Sequence, residues 1–437
     1  ERGVVADPIC ADATLTSAED AAAIDEKALA ERILVLRAES VRTADKPLPA
    51  FQKLLEKIRI NVNGRERFAT RICIVVQLTV VAVVVGIADI GDVLASDQLN
   101  HRSYFDRIAL GDDEITAPGR FALTKQTPLN AANQISELGE NTQQVLATPR
   151  KISISELGEV EPSAPLEGVK VVDFMWSLAG PFTTRALADL GATVVKIEST
   201  HKPDAARGFL PVWDNEPGLE RSALFDTANA GKLSLALNMN RPEALEVMHD
   251  LIGWADVLCD SFSPGKMDSW GLSWEKVQGL NPRLIMLSTC LTGQSGPTAN
   301  FAGYGNLGAA LSGFYGLAGW PDRAPSGPFG AYTDYTSTHF MLTTLLAALD
   351  KQRRTGSGEY IDLAQTEAAL HFIAPAVLEA SATGRLATAI GNDDSDMSPH
   401  GGFACLGEDK WVAIAVEDDV QWTRLCRIIE RPDLEAD

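Results

Sequence analysis

One carboxylate stands out from its neighbours in the sequence. Asp334 lies within GPFGAYTDYTSTHF, residues 327 to 340, among Gly, Ala, Tyr and Thr, and the next Lys or Arg along the chain is Lys351. Apolar and aromatic neighbours would partly desolvate this carboxylate, which raises its free energy as an anion and makes it a better nucleophile toward an acyl carbon. The alternative is a structural role, in which Asp334 caps a helix that begins near Tyr335.

Other motifs give weaker signals for chemistry. The first strand-to-helix turn, FMWSLAGP, lacks the GxGxxG spacing that lets a pyrophosphate approach the backbone, so nicotinamide chemistry is disfavoured. Ser295 lies in GQSGP rather than GxSxG, which is typical of a glycine-rich turn and fits a nucleophile elbow poorly. The histidines form no HExxH and the cysteines no CxxC, so no metal site is predicted; His339 and His400 border glycine-rich segments and remain of interest.

The elements that must position these residues alternate along the chain. Strand, helix and strand follow one another as VKVVDF, AGPFTTRALADLG and ATVVKIE, with Pro181 near the start of the helix and Gly191 at its end. The alternation continues through RPEALEVMHDLIGWA, DVLCDSF, SWEKVQGLN and PRLIMLSTC, and a helix-rich stretch from about 336 to 383 follows, broken by the turn RRTGSGEY. A hairpin and a helix are predicted after residue 400. This pattern predicts an α/β fold with a parallel, doubly wound sheet.

The first third of the chain has a different character. Residues 16 to 57 have helical periodicity with charged faces, which predicts surface helices. The apolar run from 72 to 90 is interrupted by Gln77 and is too short for a membrane span, so we interpret it as buried strand or helix. Residues 151 to 165 mix Pro, Ser, Gly and Glu without an apolar period, which is the composition of a linker.

Composition narrows the class of protein. The chain has 437 residues, 45% of them hydrophobic, which is enough for a large globular core. Its formal charge is −21 without a block of Lys or Arg, so we predict no nucleic-acid partner and no membrane partner, and any anionic ligand must be bound by local donors. The dispersed cysteines predict reduced thiols, and the acidic first twenty residues lack a secretory n-region, so a cytoplasmic location is predicted.

From residue 165 to about 430, the sequence resembles the family III CoA-transferases, also called the CaiB/BaiF family. The segments that carry the resemblance are PLEGVKVVDFMWSLAGPFTTRALADLGATVVKIES, NAGKLSLALN, ADVLCDSFSPGKMDSWGLSWEKVQGLNPRLIMLST, GQSGP, GAYTD and ALDKQRRTGSGEYIDLAQTEAAL. The resemblance implies a Rossmann-like large domain with a parallel sheet, a smaller α+β domain, and two subunits interlocked as a dimer. It also implies that Asp334 is the nucleophile that receives an acyl group and then coenzyme A during transfer to a carboxylic acid.

By the same resemblance, no permanently bound cofactor is expected, and coenzyme A or acyl-CoA is a substrate. The residues matching the family's CoA and substrate contacts are Ser177, Leu178, Ala179, Lys232, Leu237, Asn240, Ser261, Phe262, Lys266 and Tyr304. The chain departs from the family at Leu178, where a Gln is common, and at Ser199, Asn240 and Ser269, where basic residues are common. Lys232, Arg241 and Lys266 lie nearby in sequence and are expected to replace some of the missing phosphate contacts.

The first part of the chain resembles the segment that normally closes such a protein, so the order is tail first and head second. Matching ends, IIERPDLEAD and ERGVVADPICAD, fit either a tandem protein or a permuted one. The domains predicted are 1–70 small-domain segment, 71–150 C-terminal-type segment of the large domain, 151–165 linker, 166–390 large domain and 391–437 start of the small domain. The partner would be a second copy, or the other half of a pseudo-dimer.

Three alternative functions remain open from the sequence. A racemase of the same family uses a His and an Asp as bases, but the matching stretch GYGNLG has Tyr304 where the His would be, which leaves His339 as a substitute. A transferase coupled to lyase chemistry would eliminate a product from the acyl-CoA that it forms. A catalytically degenerate half, indicated by the missing basic residues, would serve as the structural partner of an active half.

Overall fold

The computed structural model describes residues 86–435, except 112, 130–136, 149–163 and 217, and before residue 86 it describes strand backbone alone. The chain divides into two units, Glu1–Gly86 and Ile87–Asp437. Most of the linker 151–165 and of the small-domain segment 1–70, including nearly all of the helices predicted between 16 and 57, lies outside the described residues. The exception within those helices is Leu36–Arg37, which forms a strand where helix was predicted. The apolar run from 72 to 90 contains two antiparallel strands, Ile72–Val76 and Val81–Gly86.

The strands, in chain order, are β1 (Leu36–Arg37), β2 (Arg59–Val62), β3 (Arg65–Phe68), β4 (Ile72–Val76), β5 (Val81–Gly86), β6 (Phe105–Leu110), β7 (Asp113–Pro118), β8 (Leu123–Thr124), β9 (Lys170–Phe174), β10 (Thr193–Glu198), β11 (Leu233–Ala236), β12 (Val257–Asp260), β13 (Ile285–Cys290), β14 (Glu359–Ala364), β15 (His400–Ala404) and β16 (Trp411–Ala415). The helices are α1 (Ile90–Leu94), α2 (Asp97–His101), α3 (Thr142–Ala147), α4 (Ala179–Asp189), α5 (Ala223–Asn229), α6 (Glu243–Trp254), α7 (Lys266–Ser269), α8 (Trp274–Leu280), α9 (Gly305–Leu311), α10 (Phe314–Leu317), α11 (Tyr332–Thr355), α12 (Gln365–Leu370), α13 (Ala374–Thr383) and α14 (Asp419–Ile428).

A seven-stranded sheet with the order β11-β10-β9-β12-β13-β14-β8 forms the centre of the second unit. The pairs from β11 to β14 are parallel, and β8 joins β14 as an antiparallel edge strand. Helices cover both faces of a parallel sheet, so the two faces of its central strands are both buried, and β12 and β13 are buried along almost their whole length. The predicted α/β fold is confirmed.

Most of the predicted elements occur where the sequence placed them. The strand-helix-strand unit forms β9, α4 and β10, and the predicted C-terminal hairpin and helix form β15, β16 and α14. The segment from 336 to 383 is wrong in one respect, because strand β14 follows the RRTGSGEY turn where more helix was predicted. The polar residues Glu359 and Asp362 interrupt the apolar pattern by which a buried strand is recognised. Both are nevertheless buried, and Glu359 forms an ion pair with Lys351 and Asp362 with Arg102.

Two side chains from the α2 segment bind the glycine-rich turn 293–297. Gln98 donates to the carbonyls of Thr292 and Ser295, at 2.8 and 2.7 Å, and accepts the N–H of Thr298 at 2.8 Å. Arg102 is buried and forms ion pairs with Asp362 and Glu367. Ser295 therefore belongs to a glycine-rich turn, as the GQSGP spacing indicated. Hydrogen bonds from the α2 segment hold this turn in place.

Among the described residues, Cys259, Cys290, Cys405 and Cys426 are free thiols. In the same part of the chain, no helix has the length and apolar character needed to cross a membrane.

Candidate active site

The order of the strands creates a crevice between β9 and β12. From β9 the chain adds β10 and β11 on one side of the sheet, and β12, β13 and β14 then extend the other side. Ligands of open α/β sheets bind beyond the carboxyl ends of the strands at such a switch point. The turns that follow these two strands meet there, because the Trp176 N–H donates to Ser261 Oγ at 2.7 Å.

A buried ion pair supports the turn after β9. The Lys196 ammonium donates to the Met175 carbonyl at 2.7 Å and to Asp204 Oδ2 at 3.0 Å, and its side chain is 3% exposed. Asp204 Oδ1 accepts the Ser177 N–H at 3.0 Å. Ser177 has a φ of 65°, in the left-handed region that non-glycine residues seldom adopt. The neighbouring charges therefore stabilise an otherwise strained backbone at the entrance to α4.

The ammonium of Lys232, which the sequence predicted as a phosphate contact, lies among protein oxygens. It is within 3.0 Å of four of them, those of Asp173, Pro181, Thr184 and Asn229. An ammonium has three protons, so these acceptors saturate it, and its side chain is 2% exposed. Lys232 thus anchors α4 to the sheet and does not present its charge to a ligand.

Aromatic rings line the turn after β12. The Phe262 ring lies 5.4 Å from Trp176 and 5.3 Å from Trp270, both as edge contacts. Lys266, which is exposed at the start of α7, places its ammonium 4.5 Å from the centre of the Trp270 ring. The indole N–H groups of Trp176 and Trp270 are buried and have no acceptor in the described part of the chain. We call Trp176, Phe262, Trp270 and Lys266 the aromatic wall.

The buried carboxylate at the end of β12 supports this turn from below. Asp260 accepts the Phe262 N–H at 3.2 Å and the Ser288 hydroxyl at 2.6 Å. Burial raises the pKa of Asp260 to about 7, and these two hydrogen bonds oppose the rise. No local sequence pattern indicates this role, because an Asp that ends a strand usually forms a turn.

The remaining predicted contacts lie along the same edge of the sheet. Leu178 is buried just before α4, and the Ala179 carbonyl accepts the Thr338 hydroxyl at 3.1 Å, which joins α4 to α11. Leu237 and Asn240 follow β11, the edge strand, two strands away from the switch point. Leu237 is half-buried, whereas Asn240 is exposed in a turn.

Asp334 is the third residue of α11 and is 5% exposed. Its Oδ2 accepts the N–H of Gly305, the first residue of α9, at 3.0 Å. Burial raises the pKa of Asp334 to about 6, and hydrogen bonding by the Gly305 N–H and the Gln365 side chain opposes the rise. No basic side chain forms an ion pair with it among the described residues. The capping alternative is wrong, because α11 begins at Tyr332 and has no side-chain cap.

Two glycines allow α9 to approach α11 closely enough for this contact. A Cβ on Gly305 would lie 2.5 Å from the Ala331 carbonyl oxygen and 2.5 Å from the Asp334 nitrogen. A Cβ on Gly308 would lie 2.3 Å from the Thr333 hydroxyl. Glycine is therefore required at both positions, and the motif GYGNLG has its explanation in this contact between two helices.

Tyr304 connects the Asp334 pocket with the turn after β9. It is half-buried, directly before α9, and its ring lies 5.8 Å from that of Phe209. Burial, followed by the charges of Asp334 and Asp204, raises the pKa of the Tyr304 phenol, while a hydrogen bond with the Ser177 side chain opposes the rise. His339, by contrast, is exposed on α11. The geometry therefore gives no support to His339 as a base that acts together with Asp334.

The site thus brings together Ser177, Leu178, Ala179, Ser261, Phe262, Tyr304 and Asp334 near one edge of the sheet. Sequence reasoning missed the tryptophans of the aromatic wall and Gln365, whose hydrogen bonding opposes the rise in the pKa of Asp334. The tryptophans were visible in MWSLAG and MDSWG, whereas Gln365 carries no local signal. In the described part of the chain, no group of three His, Cys, Asp or Glu side chains could hold a metal ion.

Comparison with known proteins identifies the class. Residues 166–437 match the model of CoA-transferase family III. The acetyl-CoA:oxalate CoA-transferase of Acetobacter aceti is 33% identical over 65% of this chain and 72% of its own length. The succinate–glutarate CoA-transferase of Agrobacterium fabrum is 32% identical over 61% of this chain and 66% of its own length. A CaiB/BaiF family protein from Brucella suis superposes with a TM-score of 0.57 and 31% identity, over 63% of this chain and 72% of that one.

The chain belongs to CoA-transferase family III, since the family model covers more than half of it. It is therefore an enzyme of the acyl-CoA:carboxylate CoA-transferase class. The resemblance drawn from the sequence motifs is confirmed.

Proposed function

We propose that this enzyme transfers coenzyme A from an acyl-CoA donor to a carboxylic acid acceptor through covalent intermediates on Asp334. The observation that carries the proposal is a buried carboxylate with neutral hydrogen-bond partners and no ion-pair partner among the described residues, beside the switch-point crevice of the sheet. An anion that is desolvated but not neutralised by a cation retains its nucleophilicity.

The first half of the reaction moves coenzyme A onto the enzyme. The ionised Asp334 carboxylate attacks the thioester carbonyl of the donor; a C–O bond forms, the C–S bond breaks and CoA thiolate leaves, which gives a mixed anhydride. The thiolate then attacks the Asp334 carbonyl carbon, the donor carboxylate leaves, and an aspartyl-CoA thioester remains. Burial protects both intermediates from water.

The second half reverses this sequence with the acceptor. The acceptor carboxylate attacks the Asp334 carbonyl carbon and displaces CoA thiolate, which forms a new anhydride. The thiolate then attacks the acyl carbon of the acceptor, and the new acyl-CoA leaves as the Asp334 carboxylate is regenerated. Donor and acceptor have exchanged coenzyme A, with no net change in charge.

We propose that the coenzyme binds along the crevice between the turns after β9 and β12. The aromatic wall suits the flat adenine ring, and Lys266 is an exposed cation near it that could meet a phosphate. The thioester end would then lie near Tyr304 and Ser177, on the way to Asp334. Leu178, Ala179, Ser261, Leu237 and Asn240 would contact the rest of the coenzyme.

The names of the similar enzymes guide the choice of acceptor. Those from Acetobacter and Agrobacterium act on oxalate and on succinate and glutarate, as their names state. Oxalate, succinate and glutarate are dicarboxylic acids. We therefore propose a small dicarboxylic acid as one of the two substrates.

Chromatography of reactions between acyl-CoA donors and isotope-labelled dicarboxylates tests this function. We expect labelled acyl-CoA with the wild type and none with Asp334→Ala, while calorimetry shows that the variant still binds coenzyme A. Full activity of Asp334→Ala would refute the covalent mechanism. A folded wild type that binds no coenzyme A would instead support a degenerate half.

The arrangement of subunits and the compartment also belong to the proposal. The hairpin β15–β16 exposes Trp411 at 66%, which fits a small domain completed by further protein. We propose an interlocked dimer or pseudo-dimer, which light scattering of the purified protein would test. The free thiols fit the reducing environment of the cytoplasm.

A further inference from the structure

Asp204 follows β10 and is not among the residues predicted to bind the coenzyme. Its carboxylate is buried. Oδ1 accepts the N–H of Ser177 and that of Ala206, both at 3.0 Å, and Oδ2 accepts the ammonium of Lys196, also at 3.0 Å. One carboxylate therefore joins the turn after β9 to the segment after β10 and to strand β10 itself.

Two further side chains hold the rest of this turn. The Lys196 ammonium also donates to the Met175 carbonyl at 2.7 Å, and the Trp176 N–H donates to Ser261 Oγ at 2.7 Å. The backbone is thus fixed at residues 175, 176 and 177 by side chains from β10, from the segment after β10 and from the turn after β12. A backbone that is held at three consecutive residues has little freedom to rearrange when a ligand arrives.

The conformation that these contacts hold is an unfavourable one. Ser177 has a φ of 65°, and steric repulsion involving the Cβ disfavours this region by roughly 5- to 30-fold for a residue with a side chain. Helix α4 begins two residues later, at Ala179, so a return of Ser177 to an ordinary φ would redirect the start of the helix. The hydrogen bond to Asp204 opposes that return, because it fixes the Ser177 N–H.

The turn lies at the switch point of the sheet, where we propose that the coenzyme binds. Ser177, Leu178 and Ala179 are among the proposed contacts. A loop that is already ordered in its bound conformation avoids the free-energy cost of ordering when the ligand binds. A residue that keeps Ser177 in the left-handed region therefore favours coenzyme binding without itself touching the coenzyme.

We infer that Asp204, paired with Lys196, is a positioning residue for the coenzyme, and that it acts through its hydrogen bond to the N–H of the left-handed Ser177. The inference rests on the proposed function, since it requires coenzyme A to bind in this crevice. Loss of the hydrogen bond should weaken coenzyme binding. A glycine at position 177 should make the hydrogen bond dispensable, because glycine adopts a positive φ at little cost.

The test compares two double variants, Lys196→Met with Asp204→Asn and Lys196→Met with Asp204→Leu. Both remove the buried ion pair as a whole, so neither leaves an unpaired charge, and their side chains at 204 have similar volumes. Asn retains an oxygen that can accept the Ser177 N–H, whereas Leu has none. We expect calorimetry to show that the Leu variant binds coenzyme A roughly 5- to 30-fold more weakly than the Asn variant.

Addition of Ser177→Gly to both double variants separates this role from a general structural one. If Asp204 acts by maintaining the left-handed φ, the difference in affinity between the Asn and Leu variants should shrink to about twofold or less. A general defect in the fold around position 204 would leave the difference at its full size. An undiminished difference in the glycine background would therefore overturn the inference.

Glu359 provides a matched control at the other edge of the sheet. It forms an ion pair with Lys351 at 2.7 Å and accepts the N–H groups of Gln126 and Thr127, at 2.7 and 3.0 Å, much as Asp204 holds its own turn. Glu359 begins β14, so it lies at the opposite end of the strand from the crevice. Lys351→Met with Glu359→Leu should have a lower free energy of unfolding than Lys351→Met with Glu359→Gln, but the same affinity for coenzyme A.

Lys196→Met with Asp204→Ser serves if the Leu variant does not fold. The serine hydroxyl reaches less far than the carboxylate, so this variant should also bind coenzyme A more weakly than the Asn variant, though to a smaller extent. Equal affinities of the compared variants, beside a wild type that binds coenzyme A, would overturn the inference and leave the aspartyl mechanism intact. A wild type that binds no coenzyme A would overturn the inference and the proposed function together.

Discussion

Two buried regions at the same edge of the sheet differ in whether their charged side chains form ion pairs. Below the turn after β9, Lys196 pairs with Asp204 and Lys232 with Asp173, and the four side chains are at most 3% exposed. In the pocket of α9 and α11, Asp334 has only neutral hydrogen-bond partners among the described residues. The paired charges position the turn, whereas the unpaired one is poised to react. The difference predicts opposite responses to removal of a charge.

The largest effect on stability is expected from Lys232→Met. Removal of the ammonium leaves the Asp173 carboxylate buried without a counter-charge, and breaking a buried pair costs about 3–5 kcal/mol. Urea unfolding at pH 8 measures the loss. The double variant with Asp173→Asn should recover much of it, and an unchanged free energy of unfolding in Lys232→Met would show that the pair does not stabilise the fold.

Asp334→Asn should change the free energy of unfolding in the opposite direction and stabilise the protein. The pKa of Asp334 lies near the ordinary aspartate value of 3.8 in the unfolded chain and is about 6 in the folded protein. Ionisation of Asp334 therefore costs more free energy in the folded protein than in the unfolded chain. This destabilisation is absent below pH 4, grows between pH 4 and 6, and is complete above pH 6. The variant should be more stable by on the order of 3 kcal/mol at pH 8 and not at pH 4, although transfer is lost.

Asp260→Asn is the control variant for this prediction and is studied in the same unfolding experiments. It removes a second buried carboxylate, which has no part in the proposed chemistry and accepts hydrogen bonds from Phe262 and Ser288. A stability gain in Asp334→Asn that persists at pH 4 would mean that the gain does not come from the ionised carboxylate.

The pH dependence of catalysis follows from the same shift. The nucleophile is the ionised form, and with a pKa of about 6 its population falls roughly tenfold for each pH unit below that value. We expect kcat/KM to fall accordingly between pH 6 and 5. A limb near pH 4, where an exposed aspartate titrates, would contradict the desolvated pocket.

The smallest effects are expected at the aromatic wall. Trp270→Ala removes a ring that contacts Phe262 and supports Lys266, so the KM for acyl-CoA should rise about tenfold with kcat unchanged. Lys266→Ala should raise it only about two- to fivefold, because an exposed cation contributes little. A fall in kcat without a change in KM would place the wall near the reacting atoms instead.

The sequence predicted the strands and helices better than it predicted the contacts between them. The alternation of apolar runs predicted β9, α4, β10, α6 and β12, because each is a local pattern. Strand β14 was missed because its Glu359 and Asp362 resemble surface residues until their partners are known. These partners are Lys351, from the preceding helix α11, and Arg102, from a distant segment.

The features of the candidate site also fall into two groups, those with a local sequence signal and those that depend on distant residues. The role proposed for Asp334 comes from its motif, and its burial could be predicted from its apolar and aromatic neighbours. The saturation of Lys232 and the effect of Gln365 on the pKa of Asp334 depend on pairs of residues 30 or more positions apart, so no local pattern contains them.

Mass spectrometry of the peptide that contains Asp334 tests the central claim most directly. The enzyme is incubated with a panel of acyl-CoA donors and trapped with hydroxylamine. We predict a mass change confined to Asp334 in the wild type and absent from Asp334→Asn. An unmodified Asp334 in an enzyme that transfers coenzyme A under the same conditions would contradict the account.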